Sequence, residues 1–172
     1  MGIPDLTAKS DRELNNWIKN HEEQKATGSE LYRDLLLERA RRAQEKQLLD
    51  FETSLAHLTQ AALEQRCTSY GALAAASDVD WSQARHQMNG PNGHLDRLLE
   101  ICHAKGLPLL TAICVNQQNL DTGELGEDAL AGFATGAQRL GLRVGDPIEF
   151  HHKCRDECWA WGRNAKSEEP KP

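Results

Sequence analysis

Between residues 29 and 66 apolar side chains recur every three or four positions, at Leu31, Leu35, Leu36, Leu48, Leu49, Leu55, Leu58, Ala62 and Leu63. That spacing lays one apolar stripe along a helix, whereas a strand would sort its side chains with a period of two. Ser29 stands where a helix N-cap belongs. One long helix and two helices joined near Asp50 both satisfy the pattern. Such a stripe buries against a core, or against a protein partner or second copy of the chain. The Arg39-Ala40-Arg41-Arg42 run between the leucines reads as a solvated helix face, with a phosphate contact as the alternative.

A shorter helix is expected before it, over about 10–23. Ser10 or Asp11 caps it, Glu13 lies in the first turn, and Leu14, Trp17, Ile18 and His21 form one stripe. The amino terminus runs directly into charged residues, which predicts neither a signal peptide nor a membrane span. With five cysteines, an odd number, the expectation is reduced thiols and a cytoplasmic location.

From Cys67 onward the texture changes. Residues 68–76 read as a short capped helix, 77–80 as a turn, and Trp81 to Met88 as a second short helix. A loop follows at 89–93, then a third helix from His94 to Lys105 that stops at Gly106. The continuous apolar run from Leu107 to Asn116 is the one good strand candidate, and a turn at Asp121-Thr122-Gly123 can return a second. Helices are expected over 127–140 and from Pro147 to about Trp161. The predicted architecture is mainly α with a small β wing: a helical extension over 1–50, a winged-helix-like domain over 51–145, a C-terminal helix over 146–163 and a disordered tail over 164–172.

Two short helices across a tight turn, followed by a helix and an apolar strand, follow the order of a winged helix-turn-helix. In that arrangement the second short helix enters the major groove. Here it offers Gln83, Arg85, His86 and Gln87, with Asn89 at its end. Arginine donates to guanine and a carboxamide pairs with adenine. Thr68 and Ser69 are candidate phosphate donors. The competing reading leaves these polar groups merely solvated over a core of Trp81, Ala84 and Met88.

Thr68-Ser69-Tyr70-Gly71-Ala72-Leu73-Ala74, with Arg85 fifteen positions after Tyr70, resembles the DNA-binding half of alkylguanine alkyltransferases and alkyltransferase-like proteins over about residues 52–120. In that family the tyrosine and arginine help rotate a damaged nucleotide out of the duplex. The resemblance therefore implies such roles for Tyr70 and Arg85. The family's reactive Pro-Cys-His-Arg motif is not here. At Cys102-His103 the flanking residues are Ile101 and Ala104, and at Leu107-Pro108-Leu109-Leu110 a leucine replaces the cysteine. The second placement suits the family's order better, and it implies binding without alkyl transfer. A Leu-Pro-x-Leu-Thr segment is also similar to one in bacterial proteins of unassigned mechanism.

His151, Cys154 and Cys158 share a helical stripe at i, i+3 and i+7, and Cys102-His103 can join from another helix. Imidazole and sulfur are zinc ligands, but a structural site needs four, and zinc signatures use close Cys-x-x-Cys pairs. Packing of both cysteines in the core is the competing reading. The expected function is a non-catalytic DNA-binding module, regulatory or associated with a mobile element, that needs no cofactor. An adaptor or homodimer built on the 29–66 helix is one alternative. A zinc- or thiol-dependent enzyme is the other. Charge argues partly against DNA: residues 61–150 carry 6 basic and 11 acidic side chains, which disfavours non-specific contact with phosphate.

Overall fold

The computed structural model describes residues 4–168. Helix α1, Asp11–Glu23, starts as expected: the Ser10 hydroxyl accepts from the Glu13 amide while the Glu13 carboxylate accepts from the Ser10 amide. The long apolar period resolves into two helices, α2 (Glu30–Gln44) and α3 (Phe51–Leu63). Side chains fix the break. The Gln44 carboxamide donates to the Leu49 carbonyl and accepts from the Phe51 amide, and Asp50 caps α3 through the Thr53 amide.

Five further helices follow: α4 (Tyr70–Ala76), α5 (Trp81–Met88), α6 (His94–Ala104), α7 (Glu127–Arg139) and α8 (Pro147–Ser167). Asp146 caps α8 by accepting from the Glu149 amide, with Pro147 in its first turn, where no intrahelical N–H bond is lost. The protein is mainly α with one small β element. That element pairs β1 (Thr68–Ser69) in parallel with β2 (Cys114–Val115), Thr68 opposite Cys114 and Ser69 opposite Val115.

This corrects the expected wing. Of the apolar run, only Cys114 and Val115 are strand; Leu110–Ile113 coils into a 3-10 turn. The segment at 121–123 turns back on the Asn119 carbonyl and returns no strand. The run is buried throughout from Leu109 to Val115, and full burial removes the alternation that distinguishes strand from buried coil.

One core joins all the helices, from Leu14 and Ile18 on α1 through Leu58 on α3 and Leu98 on α6 to Cys158 on α8. α2 packs on α6 and α3 on α8, so the core crosses the boundaries expected at 50 and 145. The stripe of residues 29–66 is absorbed here too: Leu35, Leu36, Leu49 and Leu58 are buried, with Leu48 the large apolar side chain left outside. α8 continues past 163 to Ser167, so the first part of the expected tail is helical; residues 169–172 lie outside the described residues. α8 approaches α3 so closely that a Cβ on Gly162 would lie 2.2 Å from the Ala62 carbonyl oxygen. No described helix is long and apolar enough to cross a membrane.

Candidate nucleic-acid interface

α4 and α5 meet across the turn at 77–80, where Asp78 adopts a left-handed φ of 56°, a conformation that aspartate tolerates better than most residues. Ala84 and Met88 are fully buried and anchor α5. Three and four positions of helical rotation then decide the rest: Ser82, Gln83, Arg85 and His86 face solvent, as does Asn89 beyond the helix end. Arg85 has no ion pair among the described residues, so its guanidinium is free to donate. Gln87 is different, because its side-chain carbonyl accepts from the Leu48 amide at 3.1 Å. It holds the α2–α3 connection against α5.

Thr68, Ser69 and Tyr70 are buried, and this corrects their expected place on the surface. The Thr68 hydroxyl bonds His57 Nε2 at 2.7 Å, and the Ser69 hydroxyl accepts from the Ala72 amide as the α4 cap. The hydroxyls expected to reach phosphate are thus internal. Burial pushes the Tyr70 phenol up to about 12, so it stays protonated. Tyr70 instead lines a cleft of about 820 Å³ between the α5 end, α6 and α7. Trp81, 43% exposed and so outside the core that one reading gave it, lines the cleft together with Asn89, Leu95 and Phe133. Thr111 also lines it, and its buried hydroxyl has no hydrogen-bond partner. The α7 side carries Glu127 and Asp128 in its first turn.

A second groove of about 450 Å³ lies across the Asn89–Gly93 loop, and its character is opposite. Arg39, Arg42, Lys46, His86 and Arg97 line it, with Asp11 as its one carboxylate. Beneath it Glu100, only 1% exposed, accepts from Arg39 at 2.7 and 2.8 Å, from Arg97 at 2.5 Å and from Arg139 at 3.1 Å. Arg42 bonds Asp11 at 2.7 Å and Glu38 at 2.8 Å. Arg41 and Arg42 together hold the Glu38 carboxyl down to about 2. The arginine run is therefore not a uniformly solvated face. Arg39 and Arg42, three positions apart, turn inward, and Arg41 points out.

The proposed zinc stripe does not assemble. Cys154 and Cys158 face the core, and the Cys158 thiol donates to the Leu109 carbonyl at 3.3 Å. His103 Nε2 bonds the Thr27 carbonyl, and His151 shares no three-donor cluster with Cys154 or Cys158 among the described residues. Burial raises the Cys102 and Cys154 thiols to about 12 and the Cys158 thiol further, so none is a thiolate at neutral pH. None of these three cysteines joins any three-donor cluster among the described residues. The helical spacing was legible, but a stripe of soft ligands and a stripe of core residues look alike in a sequence. Compared with known proteins, the chain matches no family model, no curated protein and no solved structure.

Proposed function

We propose that the protein is a non-catalytic DNA-binding module whose α4–turn–α5 unit works as a helix-turn-helix. The observation that carries this reading is α5 itself: Ala84 and Met88 fix it to the core while Gln83, Arg85 and His86 point outward, with Arg85 unpaired among the described residues. Arg85 supplies a fork for guanine O6 and N7, and Gln83 a donor–acceptor pair for adenine.

Charge orients the duplex. Glu127 and Asp128 repel phosphate on the α7 side, so the backbone approaches across the opposite groove, where Lys46 is exposed while Arg39 and Arg42 are held by Glu100, Asp11 and Glu38. The cleft lined by Tyr70 lies on the other side of the Asn89–Gly93 loop, where Glu127 and Asp128 make it unfavourable to a phosphate-bearing group.

Fluorescence anisotropy with labelled duplexes, read across a salt series, tests the proposal. Affinity should fall steeply as salt rises, and Arg85→Ala should weaken binding by roughly 5- to 150-fold, the equivalent of about 1–3 kcal/mol. Because Arg85 is exposed and unpaired, the variant should keep its helical circular dichroism. Equal retention of DNA by wild type and Arg85→Ala would refute the reading.

A further inference from the structure

Outside the α5 surface, one cluster of ligand atoms remains whose chemistry nothing above uses. It lies where the 120–126 loop meets α8. Glu124, His151 and His152 each place one ligating atom within 4.8 Å of the other two. We propose that these three residues, with water as the fourth ligand, bind a single divalent ion of the zinc class, which fastens the loop to α8.

Three observations carry the proposal. First, His151 is held as a metal-ligating histidine usually is. It is 1% exposed, and its Nε2 lies 2.8 Å from the Ala112 carbonyl oxygen. A carbonyl can only accept, so Nε2 bears the hydrogen and Nδ1 keeps the lone pair that a metal would take. Second, the other two donors can move. Glu124 and His152 are part-exposed and now bond each other at 2.8 Å. Around a zinc ion with bonds of about 2.0–2.1 Å, tetrahedral ligand atoms stand about 3.4 Å apart. The widest separation therefore has to contract by about 1.4 Å at most, and the Glu124–His152 pair has to open by about 0.6 Å, both within the reach of rotamer changes in those two side chains.

Third, the surroundings select the metal. Arg155 bonds the Thr122 and Gly123 carbonyls and lies 3.6 Å from Glu124. That cation offsets the single carboxylate, so the site offers no net negative charge to a hard ion such as Mg²⁺ or Ca²⁺. Binding then depends on the two imidazoles, which favour zinc, cobalt and nickel. The ion has a structural consequence. Glu124 immediately precedes Leu125 and Gly126, and Ala112 follows Thr111, and these neighbours line the cleft. The metal fixes part of the cleft wall whether or not the protein binds DNA.

Untagged protein is titrated with Co²⁺ by visible absorption, and zinc content is measured after dialysis against Zn²⁺. Wild type should take up one ion per chain, with a rise in Tm on zinc addition and no competition from excess Mg²⁺. His152→Ala and Glu124→Gln, both at solvent-accessible positions, should each bind at least tenfold more weakly. Retention below a tenth of an ion per chain would overturn the proposal. Variants that bind like wild type would overturn it too, as would a thiolate-to-cobalt charge-transfer band, which would place the ion on cysteine.

Discussion

Replacing Glu100 with alanine should be among the most damaging single changes in this protein. The carboxylate is 1% exposed and is the shared acceptor of Arg39, Arg97 and Arg139. Arg97 is itself buried and keeps one other partner, the Asn92 side-chain oxygen at 2.5 Å. Arg139 retains Asp96 at 3.1 Å, and Arg39 retains Asn15 at 3.2 Å. Without Glu100, three guanidiniums face one another around a vacated acceptor, and Arg97 has no carboxylate in contact. Removing one partner of a buried ion pair costs about 3–5 kcal/mol, because the surviving charge stays desolvated. For a chain of this size that corresponds to a drop in Tm of roughly 6–20 °C. Urea unfolding at neutral pH measures it, with an unchanged m-value showing that the loss is one of stability. A second substitution identifies the cause: Arg97→Met in the Glu100→Ala background should restore part of the loss, since it removes the stranded charge. A Glu100→Ala loss below about 1 kcal/mol, or no coupling to Arg97, would refute the reasoning.

Two further outcomes follow from buried groups elsewhere. His94 is sandwiched between the Ser54 hydroxyl at 2.8 Å and Gln47 at 3.0 Å and stacks on Phe51, and burial pushes its pKa down to about 4. The unfolded chain binds the proton near 6.5, so the stability His94 contributes is complete above that pH and is lost as pH falls towards 4. Urea titrations between pH 7 and 4 should show a shallower decline in His94→Gln than in wild type; parallel slopes would rule this out. Gly162→Ala places a methyl group against the Ala62 carbonyl and must push α8 away from α3. It should cost about 1–3 kcal/mol in thermal unfolding, and an unchanged Tm would show that the helices are not so closely apposed.

Local chemistry was readable wherever it was decided within a few residues. The α1 capping box needs only Ser10 and Glu13, and the outward face of α5 follows from Ala84 and Met88 lying four residues apart on the apolar side. At Asp50 the sequence left one long helix and two shorter ones open, and the structure takes the break there, with Asp50 as the α3 cap. The errors have a common origin. Thr68 and Ser69 carry hydroxyls that suit a phosphate or an internal bond equally, and His57 and the α4 cap take them. Cys154 and Cys158 fit a ligand stripe or a core stripe, and nothing local separates the two.

The sequence by itself determined a mainly helical protein, the helix starts, and the outward placement of Gln83, Arg85 and His86 on α5, because backbone capping and helical periodicity act over three or four positions. Only the tertiary structure decided that β1 pairs in parallel with β2 across 46 positions of chain (Thr68 with Cys114). It also decided that Arg39 and Arg42 join Arg97 in one basic groove, and that Glu124 meets two histidines of α8. Those meetings are set by how apolar faces pack, and packing brings together charges and ligands whose separation along the chain carries no sign of their contact.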